Sequence, residues 1–498
     1  MKKCCYILGL LLIFITLIVT LYLENNDIIL CFEKIEKISI NDSFIKKEND
    51  NSFEDIYEAE ILNSAKFNLV DLSFKNGKNK IIKTKIKKLT KDNFLKIYSI
   101  RDKKLYKIRT LPLDFPEYKL TLKEWYTKGY LFTSLRSPIW NFEAQQRNSD
   151  LVGNVSPNSF AFCINLEKNE IVFYGKSRGN ITNLQKNVTE TGKVYFFYSI
   201  DTSEIDDTFC PLCYSRGYLL DKNFQIIKTI NSYQKDDFDQ HFFCFIDENH
   251  YIINAFSITN NYFEPFKKNM ECIHSVIQEI KNDKLLLEEN LDLFYEKFEQ
   301  FNLWNKPNNE SVLLSHVNSV IVDPTDNNLI VSCAVISSII KIERTTGKIL
   351  WILGGREDNF GLAPSEKPIM QHALSISKDG YLTLLNNNHI FWINEEHYKD
   401  FHPGTAEILQ FKLDEKNFKI TGFRKYSIND LITAQGSAYE VANNRFLIAY
   451  GTEAATENGK GLIISEIDVS ENKKYMQITL PADSKYDCYN AYLYKTLD

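Results

Sequence analysis

QHFFCFIDENHYIINAF (residues 240–256), SHVNSVIVDPTDNNLIVSCA (315–334) and QHALSISKDGYLTLLNN (371–387) are three copies of one pattern. Each copy begins with a histidine behind a polar residue and continues with a short apolar strand, a turn and a second strand. A fourth copy, QGSAYEVANNRFLIAYG (435–451), keeps both strands and lacks the histidine. Such internal repetition indicates a fold built by stacking one supersecondary unit.

Short strands and frequent turns continue from about residue 117 to the C-terminus, and the main helical exception is LDLFYEKFEQFNLW at 291–304. A propeller blade of four strands takes roughly 40–60 residues, so this stretch holds about six blades. The sequence therefore predicts an all-β protein, with a six-bladed β-propeller over residues 116–498 and a small N-terminal β-domain over residues 27–115.

Three histidines stand at the same point of the repeat. His241 and His316 are 75 residues apart, and His316 and His372 are 56 residues apart, which is about one blade each time. The first strand of each blade lines the central channel, so these side chains are expected to face one another there. A single histidine would more often be a core residue, but three in register, out of eight in the chain, favour a function. The predicted active site lies in the central channel.

The N-terminus has the pattern of a targeting segment. Lys2 and Lys3 precede an uncharged apolar run over residues 4–23, which is long enough to span a bilayer as a helix. Residues 1–26 are therefore predicted to be a signal anchor or a signal peptide. The anchor is favoured because no small-x-small cleavage site follows. An exported protein is expected, periplasmic or otherwise extracytoplasmic, and attached to the membrane by this hydrophobic helix.

Composition excludes several function classes. A net charge of −6 and a pI near 5.9 argue against nucleic-acid binding. Of the ten cysteines, only Cys210 and Cys213 form a CxxC pair, and with no second pair no metal is predicted. Other cysteines, such as Cys163, have the surroundings of buried strand residues. No GxxxxGK[ST] loop is present, so neither a nucleotide sulfate donor nor another cofactor is predicted.

A family resemblance rests on an ordered set of motifs. HVNSV at 316–320, LIVSCAVISSIIKIERTTGKILWILGG at 329–355, QH at 371–372 and DQH at 239–241 resemble the arylsulfotransferases that work without a nucleotide sulfate. The resemblance is good from about residue 230 to 455 and looser before that. It implies a ping-pong transfer of a sulfuryl group from a small aromatic sulfate donor to a phenol acceptor.

The resemblance also implies roles for individual residues. His372 would be the nucleophile that becomes sulfated, while His241, His316 and Asn318 would hold the sulfuryl oxygens. One departure stands out, since the family reads SSR where this chain has Ser-Cys-Ala at 332–334, so Ala334 replaces a sulfate-binding arginine. Arg356 is the nearest substitute in the sequence.

Two other functions stay open at this stage. The chain could be a non-catalytic exported propeller that descends from that family and binds a ligand, and Ala334 supports this reading. It could also be a different propeller enzyme, such as a sulfatase-like hydrolase or a quinoprotein, because one fold serves many functions. The oligomeric state is undetermined by the sequence, with a homodimer among the options.

Overall fold

The structure of the chain is a computed structural model. It gives the backbone of seven strands between residues 28 and 109, and it describes with side chains residues 115–136, 158–177, 179–201, 215–233, 238–263, 267–291, 311–388, 404–428, 432, 435–451, 461–481 and 486–497. The hydrophobic segment over residues 4–23, residues 292–304 of the expected helix, and the CxxC pair lie outside the described residues. Within the described part of the chain, no helix is long and apolar enough to cross a membrane.

The seven N-terminal strands form one sheet in the order β1-β7-β6-β5-β4-β2-β3. Their bounds are β1 (Ile28–Cys31), β2 (Ile35–Ile40), β3 (Ser43–Phe44), β4 (Asn68–Phe74), β5 (Asn79–Thr90), β6 (Phe94–Ser99) and β7 (Lys104–Arg109). A separate β-domain over residues 27–115 remains a prediction.

The described residues from 119 to 494 form six sheets of four or five strands, antiparallel except for the parallel pair of β18 and β20, which confirms the all-β six-bladed propeller. The strands of its first half are β8 (Lys119–Leu122), β9 (Tyr130–Leu135), β10 (Ser159–Asn165), β11 (Glu170–Ser177), β12 (Ile181–Val188), β13 (Val194–Asp201), β14 (Ser215–Leu220), β15 (Ile226–Ile230), β16 (Asp237–Asp247), β17 (His250–Phe263), β18 (Lys268–Lys281), β19 (Lys284–Asn290) and β20 (Ser311–Leu313). Those of its second half are β21 (Val317–Val322), β22 (Leu329–Cys333), β23 (Ser338–Ile342), β24 (Ile349–Gly354), β25 (His372–Ile376), β26 (Leu382–Asn386), β27 (Glu407–Asp414), β28 (Lys419–Ser427), β29 (Ser437–Ala442), β30 (Arg445–Ala449), β31 (Leu462–Asp468), β32 (Lys473–Thr479) and β33 (Ala491–Tyr494). A short 3₁₀ turn spans Pro364–Glu366.

We number the blades along the chain, with the strands given from the channel outward. Blade 1 is β33-β9-β10-β11 and blade 2 is β12-β13-β14-β15. Blade 3 is β16-β17-β18-β19, in which β20 pairs with β18, and blade 4 is β21-β22-β23-β24. Blade 5 is β25-β26-β27-β28 and blade 6 is β29-β30-β31-β32-β8.

Two strands close the ring. The C-terminal strand β33 pairs with β9 as the innermost strand of blade 1, and β8 adds a fifth strand to the outer edge of blade 6. Both ends of the propeller are thus held in sheets that also contain strands from the other end.

Apolar side chains pack between neighbouring blades and hold them together. Between blades 4 and 5, for example, Trp351, Leu353, Leu384, Leu409 and Phe411 are all buried. The second strand of blade 4, β22, is accordingly wholly buried, whereas the outermost strand β28 has only exposed and half-buried residues. The innermost strands, such as β25, keep half-buried residues because they line the channel, so burial is greatest in the middle strands of a blade.

One buried charge cluster also joins blades 4 and 5. The ammonium nitrogen of Lys341 lies 2.7 Å from Asp323, 2.8 Å from Asp326 and 2.7 Å from Glu415, and the lysine side chain has no exposed surface. Burial lowers the pKa of Lys341, but its hydrogen bonds to the three carboxylates outweigh burial and raise the pKa above its ordinary value. The lysine therefore stays charged and neutralises carboxylates from two blades.

We predict that Lys341→Met lowers the free energy of unfolding by about 3 kcal/mol, because it leaves the buried carboxylate of Asp323 without a counter-charge, while Asp326 and Glu415 are partly exposed to solvent. Urea denaturation followed by circular dichroism measures the change. Lys348→Met, in the exposed turn before β24, is the matched control and should change stability by less than about 0.5 kcal/mol. Equal stability of the two variants would contradict this role of the cluster.

Candidate active site in the central channel

The inner strands of three neighbouring blades are irregular where they carry the predicted histidines. In β16 the pairing register shifts between Asp239 and Phe243, and His241 lies inside that shift. In β25 the register shifts directly after His372. His316 immediately precedes β21 and has a φ of +50°, a left-handed conformation that is uncommon for residues other than glycine. Bulges of this kind redirect side chains, and they are frequent beside active sites.

These irregularities bring the three imidazoles to the same end of the channel. The rings of His241 and His316 are in edge-to-face contact, with their centroids 4.4 Å apart. His372 is close enough to act electrostatically on both of the other rings. His241, His372 and Asn318 all line one cavity of about 530 Å³, which runs along the channel. The cavity is large enough for a small aromatic molecule.

His241 forms a dyad with Asp239. Its Nδ1 lies 2.5 Å from one carboxylate oxygen of Asp239, and the other oxygen accepts a hydrogen bond of 2.6 Å from the Asn254 amide. Since the carboxylate can only accept, Nδ1 of His241 carries the proton and Nε2 is left for other partners. A buried carboxylate at this position orients the ring and fixes its tautomer, so the dyad is suited to acid–base chemistry.

The tautomer of His372 follows from its hydrogen bonds. Its Nδ1 lies 2.7 Å from Oδ1 of Asn387 and 3.0 Å from the carbonyl oxygen of Met370. The Asn387 amide cannot be reversed without loss, because its Nδ2 donates to the carbonyls of Ile432 and Gln435. Both neighbours of Nδ1 are therefore acceptors, which fixes the proton on Nδ1 and leaves the Nε2 lone pair available.

His372 is also held in its neutral form. Burial lowers its pKa, as do the charges of His241 and Arg136, and these effects outweigh the hydrogen bonds to Asn387 and Met370. The pKa of His372 falls to about 4. A buried imidazole that is neutral over most of the pH range can act as a nucleophile without first losing a proton.

His316 and Asn318 have different surroundings. Burial, together with the charges of His241 and His372, lowers the pKa of His316 well below its ordinary value. Nδ1 of His316 and Oδ1 of Asn318 are buried and have no hydrogen-bond partner among the described residues. The Asn318 amide nitrogen donates to the carbonyl of Gln371 at 2.7 Å, so this residue fixes the peptide that precedes His372.

The structure shows where Ala334, which replaces the arginine of the family, and its candidate substitute Arg356 are located. Ala334 is fully buried at the end of β22, and its backbone nitrogen donates to the carbonyl of His316 at 3.0 Å. Arg356 is exposed in the loop that follows β24, the outermost strand of blade 4, and it is not among the residues that line the cavity. The structure does not bring Arg356 to the histidines, because a residue beyond an outer strand begins at the rim of its blade.

Sequence reasoning missed several residues around the histidines. Asp239 stands two residues before His241, and this short spacing was a signal for the dyad. Arg136 and Tyr489 gave no signal, because they belong to blade 1 and lie outside the repeat. The ring of Tyr489 has its centroid 5.9 Å from that of His241, and the guanidinium carbon of Arg136 lies 5.7 Å from the Tyr489 centroid.

Tyrosines form one wall of the cavity. Tyr439, Tyr489, Tyr492 and Tyr494 all line it, and the rings of Tyr439 and Tyr492 are stacked with their centroids 5.0 Å apart. Aromatic rings of this kind offer faces and edges on which a planar ligand can pack. Among the described residues, no group of His, Cys, Asp and Glu is arranged to hold a metal ion.

Comparisons with solved structures return many propellers of low similarity. A protein of unknown function from Bacteroides caccae is 13% identical, with a TM-score of 0.40, over 73% of this chain and 98% of that one. The periplasmic gluconolactonase PpgL of Pseudomonas aeruginosa is 10% identical, with a TM-score of 0.37, over 72% and 99%. A putative 6-phosphogluconolactonase of Bacteroides fragilis is 10% identical, with a TM-score of 0.37, over 75% and 100%. Similarities this low carry no information about activity.

No curated protein matches the chain at a significant level. A family model does match: that of the Arylsulfotransferase (ASST) family covers residues 308–492. The matched segment includes His316, Asn318 and His372, and it extends to the innermost strand of blade 1. Over residues 308–492, the chain is similar to the arylsulfotransferase family.

Proposed function

We propose that this protein is an arylsulfotransferase, which moves a sulfuryl group from a phenolic sulfate ester to a phenolic acceptor through a sulfohistidine at His372. The observation that carries the proposal is the pairing of two differently prepared imidazoles at one end of the channel. Nε2 of His372 has a lone pair and no proton, and His241 is backed by the Asp239 carboxylate. His372 can attack sulfur, while His241 acts as general acid and general base.

In the first half of the reaction, Nε2 of His372 attacks the sulfur of the aryl sulfate. The N–S bond forms as the S–O bond to the phenol breaks, and protonated His241 gives its proton to the departing phenolate oxygen. The Nδ1 proton stays on His372, where Asn387 and the Met370 carbonyl accept it. These two acceptors stabilise the positive charge that the sulfated ring acquires.

In the second half, the neutral His241 takes the proton of the acceptor phenol. The phenolic oxygen attacks sulfur, the N–S bond breaks, and His372 returns to its neutral form. The phenol of the donor leaves the cavity before the acceptor phenol enters it. The tyrosine wall would hold the ring of each by packing. The exchange joins two chemically similar phenols, so a covalent intermediate divides the transfer into two comparable steps.

The N-terminal sequence extends the proposal to the place of the reaction. The apolar run over residues 4–23 would keep the propeller at the membrane on its extracytoplasmic side.

We expect the purified protein to release nitrophenol from 4-nitrophenyl sulfate, and we expect added phenol to accelerate that release. His372→Asn should abolish both rates, because the amide cannot form the sulfated intermediate. The matched control is His274→Asn, which changes a buried histidine of β18 outside the cavity lining and should keep the activity. Rates are measured by absorbance, and labelled sulfate on His372 is sought by mass spectrometry.

Other outcomes of this assay favour the remaining functions. Nitrophenol release that does not depend on an acceptor phenol would indicate a hydrolase. No release at all would favour the non-catalytic propeller that the buried Ala334 suggests. Activity that survives in His372→Asn would contradict the proposed intermediate.

We predict that Asp239→Asn slows the transfer by roughly 10²–10⁴-fold with phenyl sulfate as donor, because His241 loses the carboxylate that orients its ring and fixes its tautomer. The loss should be smaller with 4-nitrophenyl sulfate, whose leaving phenolate needs less help from an acid. Steady-state kcat/KM for the two donors gives the comparison. An equal loss for both donors would argue against proton transfer by His241.

We predict that the acid side of the pH profile lies near pH 4. The attacking group is neutral His372, and its lowered pKa of about 4 keeps it unprotonated well below the ordinary histidine value of roughly 6.5. Hence kcat/KM for 4-nitrophenyl sulfate should persist as the pH falls through 6.5 and be lost only as it falls through about 4. Circular dichroism at each pH controls for unfolding, and a midpoint near 6.5 would refute the assignment.

A further inference from the structure

Arg136 occupies in blade 1 the place that Ala334 occupies in blade 4. Each is the first residue after the second strand of its blade, β9 or β22. Each donates its backbone N–H, at 3.0 Å, to a carbonyl in the segment that leads into the innermost strand, which is Asp487 for Arg136 and His316 for Ala334. Blades 1 and 4 stand on opposite sides of the six-bladed ring. The chain thus has an arginine across the channel from the alanine.

The Arg136 side chain is buried and tightly held. Its Nε and Nη2 donate to the two carboxylate oxygens of Asp487, each at 2.7 Å, in a two-pronged ion pair. Such a pair holds the planar guanidinium in one orientation and keeps it charged. Burial lowers the pKa of Arg136, but Asp487 outweighs burial and raises it. Asp487 lies shortly before β33, the last strand of the propeller, whereas Arg136 directly follows β9, one of its first strands. The pair therefore also joins the two ends of the propeller.

Hydrogen bonds connect Arg136 to the proposed nucleophile. Nη2 of Arg136 also donates to the side-chain oxygen of Gln435, whose backbone carbonyl accepts from Asn387 at 2.9 Å. Asn387 in turn accepts from His372. On its other side the guanidinium lies over the ring of Tyr489, which contacts His241. Arg136 is therefore connected to the proposed nucleophile His372 on one side and to the acid–base residue His241 on the other.

A fixed positive charge here would act on the channel from behind Gln435 and Tyr489. Coulomb attraction depends on distance and on the local dielectric, and not on which blade supplies the charge. In a buried site, a charge that is already oriented stabilises an anion without reorganisation. The charge of Arg136 already acts on His372, since it contributes to the lowered pKa of that imidazole.

We infer that Arg136, from blade 1, supplies the positive charge for a tetrahedral oxyanion that Ala334 cannot supply from blade 4. The inference rests on the proposed function for the identity of the anion, which is the sulfuryl group of an aryl sulfate. Arg136 acts as a positioning and charge-supplying residue, with Gln435 and Tyr489 between it and the cavity.

The test removes the charge without leaving Asp487 unpaired. The double variant Arg136→Met with Asp487→Asn replaces the ion pair by groups of similar volume, which commonly preserves folding. We expect this variant to fold and to lose roughly 10²–10³-fold in kcat/KM for 4-nitrophenyl sulfate, as on removal of one oxyanion donor. Arg136→Lys should retain part of the rate. Arg356→Met, at the exposed loop, is the matched control and should keep the full rate.

A charge transplant separates this role from a purely structural one. Adding Ala334→Arg to the double variant restores a cation on the opposite blade, and we expect it to recover at least tenfold of the lost rate. A merely structural role for Arg136 predicts no recovery. Full activity in the double variant itself would overturn the inference while leaving the sulfotransferase function intact.

Binding of inorganic sulfate tests the inference without catalysis. Isothermal titration should show sulfate binding to the wild-type protein and at least tenfold weaker binding to the double variant. If the wild-type protein binds sulfate in this way but transfers none, the proposed function fails and the role of Arg136 stands. Equal affinity in both proteins, or no binding to the wild type, would overturn the role of Arg136.

Discussion

Asparagine side chains that bridge from one blade to the next set the geometry of the channel. At four consecutive boundaries an amide nitrogen donates to a backbone carbonyl at the start of the next inner strand: Asn183 to Gln240, Asn254 to Val317, Asn318 to Gln371, and Asn387 to Gln435. Three of these carbonyls belong to residues directly beside His241, His316 and His372. Because the acceptors are backbone atoms, the bonds fix the peptides from which the imidazoles project. The proposed chemistry depends on these four amide hydrogen bonds, which hold the histidines where the strand register shifts.

The electrostatics of the site follow from how few charges the described channel end contains. His316 and His372 are neutral because burial disfavours their charged forms and no carboxylate contacts them. His241 alone has a carboxylate partner. Two imidazoles thus take different roles, His372 as nucleophile and His241 as acid and base, because only His241 has the Asp239 carboxylate beside it. This separation of environments is the usual way in which acid and base roles are divided between like groups.

The sequence predicted the architecture and the meeting of the histidines because both follow from a repeat. A repeated strand–turn–strand unit implies blades, and equal positions in successive blades must face one channel. The same reasoning could not find Arg136 or Tyr489, since blade 1 is assembled from β33 and from strands more than 300 residues away in the chain. Arg356 was chosen for its nearness in sequence, and that measure fails at the outer strand of a blade, where the chain is farthest from the channel.

The roles of single polar side chains were also beyond the sequence. Asn318 was expected to hold sulfuryl oxygens, but its amide nitrogen, the only donor of the side chain, donates to the Gln371 carbonyl. A motif gives the residue type and not the partner, and an inter-blade hydrogen bond is only defined once the neighbouring blade is in place. The turn residue Asn387 acquires its importance in the same way, through the carbonyls of blade 6.

The channel contains polar atoms that destabilise the fold, which indicates that they serve a function. Each buried polar atom without a partner costs about 1–3 kcal/mol, and Nδ1 of His316 and Oδ1 of Asn318 are two such atoms at the same end of the cavity. Apolar side chains of similar volume would remove that cost. A propeller selected only for folding has no reason to keep them. A ligand supplies a reason: the oxygens of an oxyanion can accept from the His316 imidazole and its charge attracts Arg136, whereas Oδ1 of Asn318 can only accept, as from the hydroxyl of a phenol.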